Sequence, residues 1–150
     1  MTIQPITNQD ALWEITAEYA EQCSWRAGKS LAKAMRTNHF CDWERVFVVL
    51  DEQRVIAYCT LSKTDCIPDI PYTPYIGYLF VDESHRGKRV SQELIRFVLT
   101  YAKGLGFDRV YLVSDHVNLY EKYGFIKIDE KPAPWNAGTM EAIFMHPTEY

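Results

Sequence analysis

Tyr75-Ile-Gly-Tyr-Leu-Phe-Val-Asp-Glu-Ser-His-Arg-Gly-Lys-Arg-Val-Ser-Gln-Glu-Leu94 changes its hydrophobic period halfway along. Apolar residues run almost unbroken to Val81, the pattern of a strand buried on both faces. Asp82-Glu83-Ser84 then leads into His85-Arg86-Gly87-Lys88-Arg89, a turn with three permanent cations around one glycine. From Ser91 onward, Leu94, Ile95, Val98, Leu99 and Ala102 fall on one helical face, and Gly104 supplies a stop. A helix beginning at Arg89 to Ser91 aims its unpaired N–H groups and positive dipole end into the space flanked by Arg86, Lys88 and Arg89. That arrangement suits a phosphate. The same residues also suit a solvated basic turn with Ser91 as an ordinary N-cap.

The rest of the chain sets limits on function. Its 150 residues suit one domain, 1–150, with 47% hydrophobic and 24% charged residues. No stretch approaches the ~18 apolar residues that a membrane span needs. The first ten residues lack the basic and apolar regions of a secretory signal, so a cytoplasmic location is expected. Cys23, Cys41, Cys59 and Cys66 form no Cys-x-x-Cys pair and read as buried or incidental thiols, not as a zinc site. A net charge of −4 argues against general nucleic-acid binding, yet leaves room for a local anion site at the basic turn.

Thr2 to Ile6 reads as a strand. Thr7 and Asp10 resemble a capping box opening a helix to about Cys23, with Ala11, Leu12, Ile15, Tyr19 and Ala20 as its apolar stripe. A break at 24–28 precedes a second short helix carrying Leu31, Ala32 and Met35, up to Asn38. Val46–Leu50 and Val55–Leu61 form a hairpin around Asp51–Arg54. Ser62 to Pro74 is a long loop with three prolines, of a length that often carries function. After the 91–103 helix come a strand at Arg109–Ser114, a short helix begun by Asp115-His116-Val117 and stopped by Gly124, and strands at Phe125–Ile128 and Thr139–Met145. Strands interleaved with helices in this order give an α/β domain with a mixed sheet and helices on both faces.

Two motifs carry a resemblance. Val81 to Ser91 is similar to the acyl-CoA pyrophosphate loop of the GNAT N-acetyltransferase superfamily: Arg or Gln, two residues, Gly, one residue, Gly or Ala. Arg86 and the Gly87-Lys88 pair match it, while Arg89 and Ser91 stand where the two glycines are usual. Asn118-Leu-Tyr-Glu-Lys-Tyr-Gly-Phe125 resembles the second signature of that superfamily, in the expected order. The resemblance implies a GNAT-like, mostly antiparallel sheet and acetyl-CoA as co-substrate. It further implies direct transfer to a small-molecule or peptide amine, with no metal, nucleic acid or membrane involved; a homodimer is compatible with it. Leu79, Phe80 and Val81 would give main-chain contacts to the pantetheine arm. Arg86, Gly87, Lys88, Arg89, Val90 and Ser91 would hold the pyrophosphate.

Tyr120 is implied as the general acid, and its chemistry agrees: a phenol with a reference pKa of about 10 keeps its proton until a departing thiolate needs it. Tyr123 reads as the packing face of the same turn. An ammonium acceptor must also lose a proton, and Tyr75–Val81 holds no carboxylate, which leaves Asp65, Asp115 and His116 as candidates. The resemblance places an Asn seven residues before the tyrosine, where this chain has Val113, so that pantetheine contact is either missing or supplied by Asn118. Trp25, Tyr72 and Trp135 read equally as ligand walls or as cover for the core edge. A contrasting reading, motivated by Arg89, Ser91 and the missing carboxylate, is a non-catalytic module that senses acyl-CoA or binds protein.

Overall fold

The computed structural model describes residues 1–149. Strands β1 (Thr2–Ile6), β2 (Arg45–Asp51), β3 (Arg54–Ser62), β4 (Tyr75–Val81), β5 (Arg109–Ser114), β6 (Ile126–Pro132) and β7 (Met140–Pro147) form one sheet in the order β1-β2-β3-β4-β5-β7-β6. Every neighbouring pair is antiparallel except β4–β5. Helices α1 (Leu12–Gln22), α2 (Gly28–Arg36) and α3 (Val90–Gly104) complete the fold.

Alternation along the central strands explains the two-sided core. In β2, Phe47 and Val49 face α3 together with Leu94, Ile95, Val98 and Leu99, whereas Val46 and Val48 face α1 and α2. The β2–β3 hairpin turns through Glu52 and Gln53, both at positive φ, the geometry that matches strand twist in a two-residue turn.

Helix α1 departs from its expected start and face. Thr7 and Asp10 do bond, with the Thr7 amide donating to Asp10 Oδ2 at 2.7 Å, but they close a turn ahead of a helix that begins at Leu12. The buried face is Trp13, Thr16, Ala17 and Ala20, and Ile15 is 53% exposed. The cause is α2: Trp13 Nε1 donates to the Met35 carbonyl at 2.9 Å, and alanines let the two helices approach closely. A Cβ on Gly28 would lie 2.1 Å from the Ala20 carbonyl oxygen, so glycine sets the approach. The segment after β5 differs too. Its only helical turn is a 3-10 turn at Tyr120–Tyr123, because Asn118 at φ 64° interrupts any helix started at Asp115. No helix among the described residues is long and apolar enough to cross a membrane.

Candidate active site

Strands β4 and β5 register at a single pair, Tyr75 with Tyr111, and then part. The edge of β4 facing β5 is therefore unpaired beyond Ile76, and a ready-made ladder edge is exposed inside the molecule. Within β4 the pairing to β3 shifts: Tyr58 opposes Phe80 and Thr60 opposes Gly77, so Cys59 alone faces Tyr78 and Leu79. This is a β-bulge, and Tyr78 adopts φ 49° at its centre. Such a conformation costs a bulky residue on the order of 1–3 kcal/mol and is held by the surroundings, here by Trp25 packed edge-on against Tyr78 with centroids 6.3 Å apart. The bulge re-aims the β4 backbone where the strands part.

Two arms of a cleft open from the split. The first, of about 600 Å³, runs from Leu79, Phe80 and Val81 past Arg86, Gly87 and Arg89 to Val90, Ser91 and Gln92. Asp82 fixes the entry to its turn by accepting from the Ser84 amide at 3.2 Å, and His85 Nε2 lies 3.1 Å from Asp51 Oδ2. Gly87 takes φ 80° and Arg89 φ 61°. Arg89 thus adopts the left-handed shape that favours glycine, and its backbone follows the path a glycine would take. It is also the N-cap of α3 with no side-chain cap, so the Val90, Ser91 and Gln92 amides have no intrahelical acceptor and sit at the positive end of the helix. Arg86 folds back over the Phe80 ring, 5.6 Å to its centroid, and its Nε donates to the Val81 carbonyl at 3.0 Å. Lys88 is exposed and lies outside the cleft wall.

The second arm, of about 980 Å³, includes Trp25, Arg26, Asp65, Gly77, Tyr78, Asp115, Trp135 and Glu141 in its lining. It is acidic. Burial raises the pKa of Asp65, and burial together with the charges of Asp115 and Asp65 raises that of Glu141. Of the aromatic candidates, Trp25 and Trp135 line this arm, while Tyr72 packs on Tyr111 at 4.9 Å and donates to Asp129 at 2.9 Å, away from the cleft. Glu141 escaped sequence reasoning, although its position two residues before buried Ile143 in β7 placed a carboxylate in phase with the core. Asn118 is exposed and lines neither arm.

Trp25, Leu79, His116 and Tyr120 line both arms and mark their junction. Tyr120 packs against Phe125 and Phe144, at centroid distances of 6.1 and 6.0 Å, and His116 meets it edge-on at 6.3 Å. Its hydroxyl has no hydrogen-bond partner among the described residues and is not sealed in the core. Burial, with Tyr123 and Asp115 nearby, pushes its pKa up to about 12, so it is a protonated donor at neutral pH. Tyr123 packs on the core as expected and in addition shares a 2.8 Å hydrogen bond with Ser91 Oγ, tying the two motifs together. Among the described residues no group of three His, Cys, Asp or Glu is placed to hold a metal.

Comparison with known proteins agrees with this geometry. An aminoglycoside 6'-N-acetyltransferase complexed with coenzyme A superposes with a TM-score of 0.76 at 14% identity, over 100% of this chain and 98% of that one. The aminoglycoside 6'-N-acetyltransferase from Enterococcus faecium gives 0.75 at 14% identity, with 100% and 98% coverage. A spermidine N-acetyltransferase chimera from Vibrio cholerae and hSSAT gives 0.69 at 16% identity, with 99% and 97% coverage. No curated protein sequence matches significantly. At such identities the superpositions speak for the fold, which is that of these acetyltransferases. The profile of the Acetyltransferase (GNAT) family matches residues 10–125, which span both motifs, the split strands and Tyr120, and the chain belongs to that family.

Proposed function

We propose that this protein is an acetyl-CoA-dependent N-acetyltransferase that moves the acetyl group directly to an amine. The observation that carries the reading is the free Tyr120 hydroxyl at the junction of the two arms. The first arm fits the donor: three uncapped amides at the start of α3, with Arg86 and Arg89 beside them, suit a pyrophosphate, and the unpaired β4 edge suits the amide-bearing pantetheine arm. Acetyl-CoA supplies the activated thioester. The Leu79 backbone N–H at the bulge polarises the thioester carbonyl, and Tyr120 gives its proton to the departing sulfur. The second arm admits the acceptor, and its acidic lining favours an ammonium-bearing small molecule or peptide. Amine substrates named for the superposed enzymes, aminoglycosides and spermidine, are the first compounds to try.

Thiol release from acetyl-CoA in the presence of spermidine, an aminoglycoside and a lysine-containing peptide tests the reading. Amine-dependent release with at least one of them is expected. A melting temperature raised by CoA without release on any amine would favour the sensing module and contradict catalysis.

A further inference from the structure

We infer that Asp65, reaching in from the proline-rich loop to lie over Gly77 of β4, is the base that takes the acceptor's proton; this rests on the acetyltransferase reading above. The central strand carries no carboxylate of its own, and the fold places one against it from outside. A Cβ built on Gly77 would stand 3.0 Å from Asp65 Oδ2 and 3.1 Å from Thr60 Oγ1. The missing side chain is the space that the carboxylate occupies. Gly77 has no left-handed φ that would require glycine, so the vacancy is explained by this close approach.

Position favours Asp65 over the other candidates. Gly77 is two residues from Leu79, roughly 7 Å along the strand, a span that an amine nitrogen or one bridging water fills. Glu141 lies on β7, two strands from β4 at about 5 Å per strand, and the β4–β5 split widens that gap. Asp115 is exposed beyond the end of β5. His116 packs on Tyr120, on the sulfur side of the junction.

Asp65 is also held for the task. Oδ1 accepts the Cys66 amide at 2.6 Å, the Cys66 thiol adds a hydrogen bond to the carboxylate, and Asp65 borders the cleft. The titratable groups around it are Cys66 on its own loop, Tyr75 and Tyr78 on β4, and Glu141 on β7, with Asp115 and His116 acting beyond Glu141. Arg26 lines the same arm, but no lysine or arginine contributes to the shift of Asp65. Burial raises the Asp65 pKa above the ordinary carboxylate value, against the Cys66 hydrogen bonds that pull it down.

The substrate ammonium gives one proton to the Asp65 carboxylate, and the freed nitrogen lone pair forms the bond to the acetyl carbon. The carbon–sulfur bond breaks and sulfur takes the Tyr120 proton. The second nitrogen proton replaces the one Tyr120 gave, and Asp65 releases its own to solvent after the amide leaves.

The test uses the full chain, acetyl-CoA and the best amine of the panel. Asp65→Asn should lower kcat about 10²- to 10⁴-fold at pH 7, with acetyl-CoA KM nearly unchanged. Its rate should then climb with unit slope toward the amine pKa near 10, because the variant must wait for free amine, whereas the parent stays flat across neutral pH. A raised carboxyl pKa means the fold disfavours the charged form above the unfolded pKa, so the neutral variant should melt at the same temperature or higher. Gly77→Ala, which displaces the carboxylate by a few tenths of an ångström, should cost about tenfold in kcat with CoA binding intact. A loss in Asp65→Asn that is equal at every pH, a near-normal rate, or a fall in melting temperature with lost CoA binding would overturn the Asp65 role while leaving acetyl transfer standing. Failure of the parent to release thiol with any amine would overturn both.

Discussion

In the first arm, the lining residues belong largely to one continuous stretch, Leu79 to Gln92, which includes the uncapped amides at the start of α3. In the second arm they come from separate segments: the 24–30 turn and start of α2, the 62–74 loop, β4, the end of β5, Trp135 and β7. The two arms share a floor at Leu79, Tyr120 and His116. One arm is made mainly by one strand end and the helix start that follows it, and the other by loops together with the ends of several strands.

The largest expected effect lies at the shared floor. Tyr120→Phe keeps the ring contacts with Phe125 and Phe144 and removes only the proton donor. Turnover should fall about 10²- to 10⁴-fold while acetyl-CoA affinity hardly changes. The hydroxyl has no hydrogen-bond partner among the described residues to orphan. Near-normal turnover would dissolve the junction into two unrelated grooves.

Next is the first arm alone. Gly87→Glu puts a negative charge in open space beside the uncapped amides, and CoA affinity should weaken at least about tenfold, equivalent to 1.4 kcal/mol. Gly87→Ala is the control, because it shares the strain of φ 80° without the charge. Isothermal titration of both separates geometry from electrostatics.

A stability measurement probes the support under the second arm. Tyr75 is 1% exposed and its hydroxyl has no partner among the described residues. Tyr75→Phe should leave stability unchanged or raise it by about 1 kcal/mol in denaturant unfolding, where loss would reveal a missed partner. The smallest effect is expected at Arg89. Its backbone already follows a glycine path, so Arg89→Gly should shift CoA affinity less than about fivefold, the usual worth of one exposed charge.

The same division explains what the sequence could tell. Period changes at Val81 and Ser91, the cations and Gly104 are local, and they placed β4, the basic turn and α3 almost to the residue. Local signals failed where tertiary contact decides. The α1 stripe was misplaced because Met35, 22 residues away, captures the Trp13 indole. The bulge at Tyr78 depends on its β3 partners, and a positive φ on tyrosine has no sequence mark. Asp65 was one of three carboxylate or imidazole candidates in the chain, and only its approach to Gly77, twelve positions further along, separates it from the rest. Glu141 hid within an ordinary strand.

The most direct test of the central claim is a crystal structure of the protein with CoA. Pyrophosphate should lie on the Val90, Ser91 and Gln92 amides, pantetheine along the open edge of β4, and the sulfur within hydrogen-bonding reach of the Tyr120 hydroxyl, facing Asp65. Pyrophosphate bound away from the Gly87–Gln92 turn, or a sulfur on the far side of β4 from Tyr120, would contradict it.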